Sequence, residues 1–318
     1  MNVLKLSLWL ASLEKRDTKA KHKRRPTKDS LPPTPKENAS TGSNSYNVSI
    51  MIELPTERSK PQQYNPKLLV LFGKPKSGKS TIMAALDNNL IVDLEDGYKS
   101  LSVMAVQART AKDMLEIAKA VKEKTNELGK YPYEYITIDN ATRLEEICLE
   151  MAADDYRKTD MSMRKDTGLR WGTKRDDKGN VIIDKSADIR LLPQGSGYFY
   201  LRNAIKKVID TYKKLAPTLI LVAHVKDKQI NENGEEMWEM SVDLAGKMGN
   251  IICGEADAIG YIYREQNKTI ISFEGGGNTI KEARPLHLRG RRFIVAESDE
   301  NNEITVDLSK IFINQTKN

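Results

Sequence analysis

Apolar and polar positions alternate in blocks along this chain, and from residue 67 onward the blocks read as strand, helix, strand. Lys67-Leu68-Leu69-Val70-Leu71-Phe72 is a short apolar run that predicts a strand buried on both faces. Thr81-Ile82-Met83-Ala84-Ala85-Leu86 continues as a helix, and Leu90-Ile91-Val92-Asp93 predicts a second strand. Thr110 to Leu128 predicts a helix with Leu115, Ile117, Ala118 and Val121 on its apolar face. Thr110 and Asp113 form a capping box at its start, and Gly129 ends it. Tyr135-Ile136-Thr137-Ile138-Asp139 predicts a third strand, and Leu144 to Tyr156 a helix. Residues 157–196 are polar and loop-like, with a turn at Asp176-Asp177-Lys178-Gly179-Asn180. Tyr198 to Leu215 is helical again, and Thr218-Leu219-Ile220-Leu221-Val222-Ala223 predicts a fourth, very apolar strand. Beyond His224 the pattern changes. Lys228 to Ser241 predicts a hairpin turning at Glu232-Asn233-Gly234. Ala258 to Tyr263 and Thr269 to Phe273 read as late strands, expected antiparallel. The alternation predicts an α/β fold: a mainly parallel sheet with helices on both faces and late antiparallel strands.

Residues 1–62 lack that pattern. Lys15 to Lys28 is basic, Leu31-Pro32-Pro33-Thr34-Pro35 favours extended polyproline conformation, and Asn38 to Ser49 is rich in Ser, Asn and Thr. The expected organisation is a tail over 1–62 and one domain over 63–318. Met51 falls just before the ordered pattern and is an alternative start. Charge supports this division. The net charge is +7, but residues 1–50 hold 10 Lys/Arg against 4 Asp/Glu, while residues 51–318 hold 41 against 40. The basicity therefore belongs to the tail and does not make the domain a nucleic-acid binder. Two cysteines, Cys148 and Cys253, make no disulfide framework, and no apolar stretch approaches the ~18 residues of a membrane span. A cytoplasmic protein is expected.

Chemistry enters where the first strand meets the first helix. Gly73-Lys74-Pro75-Lys76-Ser77-Gly78-Lys79-Ser80 is the phosphate-binding pattern G-x-x-x-x-G-K-[ST], and it sits between a strand and a helix as the pattern requires. Its backbone N–H groups, with Thr81 at the helix start, would cradle phosphates. Lys79 would reach the β- and γ-phosphates, and the Ser80 hydroxyl would ligate Mg²⁺. The ligand expected is ATP with Mg²⁺.

Ligands of open α/β sheets gather at the carboxyl ends of the strands. Asp139 ends the third strand and would help fix the metal; alternatively Asp139 or Asn140 caps the following helix. Asp93-Leu94-Glu95-Asp96-Gly97 leaves the second strand, and a carboxylate there would orient the water that attacks the γ-phosphate. His224 ends the fourth strand, where a polar group would sense the γ-phosphate.

With these parts in order, the chain resembles the RecA-like P-loop ATPases, most closely the phage-encoded single-strand annealing and recombination ATPases. The matching residues are Gly73–Ser80, Asp93-Leu94-Glu95, Ile136-Thr137-Ile138-Asp139, Leu221-Val222-Ala223-His224, Asp243-Leu244-Ala245-Gly246-Lys247 and Ala256 to Tyr261. The resemblance spans about residues 65–290 and implies a RecA-like fold. It also implies that Glu95 activates the water and that His224, at a position often held by Gln, couples nucleotide state to DNA. It implies single-stranded DNA, a single-strand DNA-binding protein and further copies in a ring or filament as partners.

A basic segment lies where such DNA loops fall. Between Arg157 and Arg190 there are ten Lys/Arg against six Asp/Glu. Arg164, Lys165, Arg170, Trp171, Lys174 and Arg175 interleave cations with an indole, a combination that suits single-stranded nucleic acid unless Trp171 packs back on the core. Lys226, Lys228 and Trp238 of the hairpin form a second such group. Arg284, Arg289, Arg291 and Arg292 would supply a cation to a neighbouring subunit or form a solvated edge. Two other classes compete with a DNA-linked ATPase. A P-loop kinase of small metabolites would want an arginine-rich lid, and a non-catalytic assembly or packaging module would not need Glu95.

Overall fold

The computed structural model describes residues 56–58, 62–232, 235–276 and 279–313, with the backbone alone for 228, 230–232 and 235–238. The tail up to residue 55, Met51 included, and the hairpin tip Asn233-Gly234 lie outside the described residues, as do the side chains of Lys228 and Trp238. Residues 63–313 belong to one compact unit.

The chain runs β1 (Leu68–Gly73), α1 (Lys79–Ala84), β2 (Asn89–Asp93), β3 (Ala105–Gln107), α2 (Ala111–Leu128), β4 (Tyr135–Asp139), α3 (Ala141–Arg157), β5 (Thr173–Arg175), β6 (Val181–Ile183) and α4 (Ser196–Tyr212). It continues β7 (Thr218–Glu232), β8 (Glu235–Val242), α5 (Met248–Glu255), β9 (Ala258–Glu265), β10 (Lys268–Ser272), β11 (Glu282–Ala283), β12 (Arg292–Ser298) and β13 (Ile304–Val306). The main sheet is ordered β13-β12-β10-β9-β1-β7-β4-β2-β3, with β11 beside β9 and β8 beside β7. From β9 to β3 neighbouring strands are parallel; β10, β12 and β13 run antiparallel. The α/β expectation is met.

Alternate residues of β1 feed two cores. Leu68, Val70 and Phe72 join the side chains of α2, α3, α4 and α5 on one face. Leu69 and Leu71 join Ile82 and Met83 of α1, with Leu308, Ile311 and Phe312 from the C-terminal end, on the other. A strand apolar on both faces is what a sheet covered twice requires. Helix α2 has the expected capping box between Thr110 and Asp113, and Gly129 ends it in the left-handed region at φ 65°.

Four expectations need correction. β9 and β10 are antiparallel to each other as expected, but β9 is parallel to β1, because α5 carries the chain back across the sheet before it begins. The fourth strand does not stop at His224 but runs on as one arm of a long hairpin, Val225 to Glu232 pairing with Glu235 to Val242. Residues 157–196 are not plain loop: β5 and β6 form a small two-stranded sheet, flanked by 3-10 turns. Helix α1 is shorter than the apolar run implied and ends at Ala84.

The register aligns the strand ends that matter. Gly73 lies opposite His224 on one side and Ile262 on the other. Asp139 lies opposite Val222 and Asp93. The polar residues singled out along the sequence therefore emerge on one edge of the parallel sheet.

Candidate functional site

The turn after β1 is shaped by two glycines. A Cβ on Gly73 would lie 2.3 Å from the Ile262 carbonyl oxygen, so the strand can approach β9 only without a side chain. Gly78 has φ +94°, a left-handed conformation costly for other residues, and it opens α1. Lys79 turns back along this loop. Its ammonium donates to the carbonyls of Gly73 at 3.0 Å and Lys74 at 2.8 Å. Lys79 is buried, not exposed as a loop lysine would be, and burial lowers its pKa while Asp139 and Glu95 oppose the shift.

Beside it stand the donors of the other strand ends. The Ser80 hydroxyl donates to Asp139 Oδ2 at 3.1 Å, and the Tyr98 hydroxyl donates to the same oxygen at 2.6 Å. Burial pushes the Asp139 carboxyl above its ordinary pKa, against the two hydrogen bonds, which hold it down. Burial and the adjacent carboxylate also raise the Tyr98 phenol, so Tyr98 remains a donor. The capping alternative is settled by division of labour. Asn140 caps α3, its Oδ1 accepting from the Arg143 N–H at 2.9 Å, and Asp139 is left for the cavity.

Asn140 also touches His224, Nδ2 to Nε2 at 2.9 Å. Because its Oδ1 is the capping acceptor, its nitrogen is the donor and His224 Nε2 accepts. Glu95 Oε2 lies 3.7 Å from the same ring nitrogen. The three carboxylates at the end of β2 and just beyond it have different occupations. Asp93 Oδ1 accepts from the backbone N–H groups of Glu95 and Gly97, at 3.0 and 3.2 Å. Asp96 pairs with Arg109 and Lys99 on the surface. The Glu95 carboxylate accepts no hydrogen bond among the described residues.

These groups enclose a cavity of about 410 Å³ lined by Pro75, Lys76, Gly78, Lys79, Ser80, Thr81, Asp93, Glu95, Gly97, Tyr98, Asp139, His224 and Arg264. Of the phosphate-loop residues named from the sequence, Gly73, Lys74 and Ser77 are not part of this lining; Gly73 and Ser77 are buried and Lys74 is exposed. Tyr98 and Arg264 are additions. Neither carries a linear signal: Tyr98 lies in a polar turn, and Arg264 is the last residue but one of β9, far along the chain.

A family model described as an AAA domain matches residues 65–300. The chain belongs to that family. This AAA-domain protein is a P-loop ATPase, and its mixed, mostly parallel sheet is the corresponding fold. No curated protein matches it. The match carries neither a phage origin nor a recombination family. Among the described residues, no helix is long and apolar enough to cross a membrane.

The basic segment is placed differently from the cavity. Trp171 packs edge-on against Tyr156, ring centroids 5.4 Å apart, at the margin of the main core. The Arg170 guanidinium donates to the carbonyls of Arg157 and Thr159, both at 2.8 Å, and to the Ser162 hydroxyl at 3.1 Å. Arg164 donates to the Thr173 carbonyl, Arg175 to that of Gly179, and Lys174 pairs with Asp184. Lys165 is exposed. For Trp171 the structure matches the packing alternative. Of the hairpin cations, Lys226 is held by the Leu244 carbonyl and Asp243. Arg284 binds Asp257 and the Gly254 carbonyl, and Arg289 the carbonyls of Ala283 and Arg284.

Proposed function

We propose that this cavity binds ATP with Mg²⁺ and hydrolyses it. One observation carries the reading: a lysine, a hydroxyl–carboxylate pair and a carboxylate free of hydrogen bonds converge on a single space. Hydrolysis adds a water oxygen to the γ-phosphorus and breaks its bond to the β–γ bridging oxygen. Glu95 orients that water and takes its proton; Lys79 offsets charge on the transferred group. The donor set of Ser80 and Asp139 is all oxygen, which suits Mg²⁺. When bound there, the ion would supply positive charge that offsets the negative charge of the phosphates. The test is phosphate release by the purified chain and by Glu95→Gln. The variant keeps ATP binding and loses about 10²–10⁴-fold in rate. Turnover at the parent rate removes Glu95 from the chemistry and sinks the reading.

The finer reading is an ATPase that works on single-stranded DNA in recombination, annealing or replication, as a ring or filament. Its support is the resemblance to the recombination ATPases together with one route through the fold. His224 touches Asn140 at the head of α3, whose Thr142 donates to the Asp243 carbonyl at 2.8 Å, and Asp243 closes the hairpin of β7 and β8. Movement at His224 would thereby reach the hairpin. By linkage, DNA then changes ATP affinity by the factor that ATP changes DNA affinity. Titrating single-stranded DNA while phosphate release is followed checks this: the parent is stimulated and His224→Ala is not. Equal response in both proteins removes the sensor role.

A further inference from the structure

Lys76, Lys79 and Arg264 are the cations of the cavity lining, set against Asp93, Glu95 and Asp139. Arg264 comes from a direction the others do not. It belongs to β9, pairs with Thr269 across β10, and follows Ile262, which lies opposite Gly73. Ile262 packs with Ile82 and Met83 beneath α1. Residues two apart on a strand share a face, so Arg264 continues that face beyond the end of β1. Its Nη2 lies 3.6 Å from where a Cβ on Gly78 would stand. The guanidinium makes no hydrogen bond or ion pair among the described residues. Glu95 and His224 reach the cavity from β2 and β7, on the other flank of β1.

We propose that Arg264 is a nucleotide-binding residue, holding the phosphate chain in cis from the flank opposite Glu95. This rests on the reading that the cavity takes ATP. Three arguments support it. Without Arg264 the lining is net negative, which opposes a triphosphate. A guanidinium matches phosphate oxygens with two parallel N–H groups where an ammonium offers a point charge. A strand fixes the base of the side chain, so less freedom is lost on binding. The placement also says what Arg264 does not do. Coming from the flank of β1 opposite Glu95, it binds ground state and transition state alike, which acts on KM and not on kcat.

The experiment measures binding of Mg-ADP, Mg-ATP and inorganic tripolyphosphate to the full chain, Arg264→Ala and Arg264→Lys, alongside KM and kcat. Arg264→Ala weakens all three ligands by about tenfold, and Arg264→Lys recovers part of the loss. KM rises by a similar factor while kcat stays within about twofold. Arg264→Gln replaces the alanine variant if the latter unfolds. Parent-like affinity in the Ala variant overturns the inference. So does a fall in kcat at unchanged affinity, which marks a transition-state contact, or a loss for ATP but not tripolyphosphate, which marks the base or ribose. Failure of the parent chain itself to bind nucleotide overturns the underlying reading, a result distinct from these.

Discussion

The nucleotide cavity and the basic segment at 157–190 are both rich in charged side chains, yet they use them in opposite ways. In the segment, donors and acceptors are spent on one another: Arg170 on three oxygens of its own loop, Arg190 on Asp188, Asp176 on the turn that follows it. In the cavity, Glu95 keeps its acceptors free, and Asp139 is held from one side only, both donors meeting Oδ2. Asp139 is buried, and a buried polar group is normally satisfied within the fold, so its second oxygen marks where a ligand supplies a partner. Glu95 is exposed, and its free acceptors face the same cavity. Charge density alone does not separate the two regions; the direction of the hydrogen bonds does.

The harshest test of that contrast is Lys79→Ala. Lys79 bonds only loop carbonyls, so its loss removes cavity charge without removing core packing. Turnover falls by about 10²–10³-fold while circular dichroism stays that of the parent. An unfolded variant would show that Lys79 serves the loop itself and would erase the distinction. Tyr98→Phe comes next. The change keeps the buried ring and deletes the donor to Asp139, leaving Ser80 as the remaining donor. The Mg²⁺ concentration needed for half-maximal ATP binding rises by about tenfold, as for other partners that orient a metal's acid. An unchanged Mg²⁺ requirement would make Tyr98 a packing residue.

Much of this contrast was invisible along the chain, for identifiable reasons. Gly73 to Ser80 was legible because the whole loop is local in sequence. Asp139 was legible because strand ends gather at one edge. Whether Asp139 or Asn140 caps α3 depends on backbone geometry, which adjacent residues of similar propensity do not betray. The strand β3 and the ribbon of β5 and β6 are three residues per strand, too short for a period to register. Helix α5 is interrupted by Gly249 and Gly254, which hid its apolar face. The sense of β9 is a property of the chain's path and leaves no trace in its own pattern. Tyr98 and Arg264 become site residues only through contacts across the fold.

Trp171→Ala probes the other side of the comparison. Trp171 meets Tyr156, which in turn meets Tyr200 of α4 at 5.2 Å. Truncation opens this aromatic cluster and costs about 2 kcal/mol of stability, since the indole is only partly buried. Unfolding curves read the loss, and turnover per folded molecule is unaffected. A variant of parent stability with impaired DNA binding would instead place Trp171 on an open nucleic-acid surface and move the segment into the functional class.

The smallest effect separates two neighbouring carboxylates. Asp96 follows Glu95 directly, but its oxygens face Arg109, Lys99 and Gln107 at the surface, and against desolvation the charges and hydrogen bonds of Arg109 and Lys99 hold its pKa below the ordinary value. Exposed pairs of this kind contribute little, because water and salt screen them. Its backbone is left-handed, φ 62°, a conformation asparagine tolerates better than most residues. Asp96→Asn therefore removes charge without straining the turn, and the amide still accepts from Arg109. Phosphate release stays within about twofold of the parent, where Glu95→Gln loses orders of magnitude. The comparison breaks if the two variants fall together. Equal losses would mean that the turn acts through its total charge, with no carboxylate singled out by its free acceptors, and the direction of hydrogen bonding would then fail as a guide within two adjacent residues.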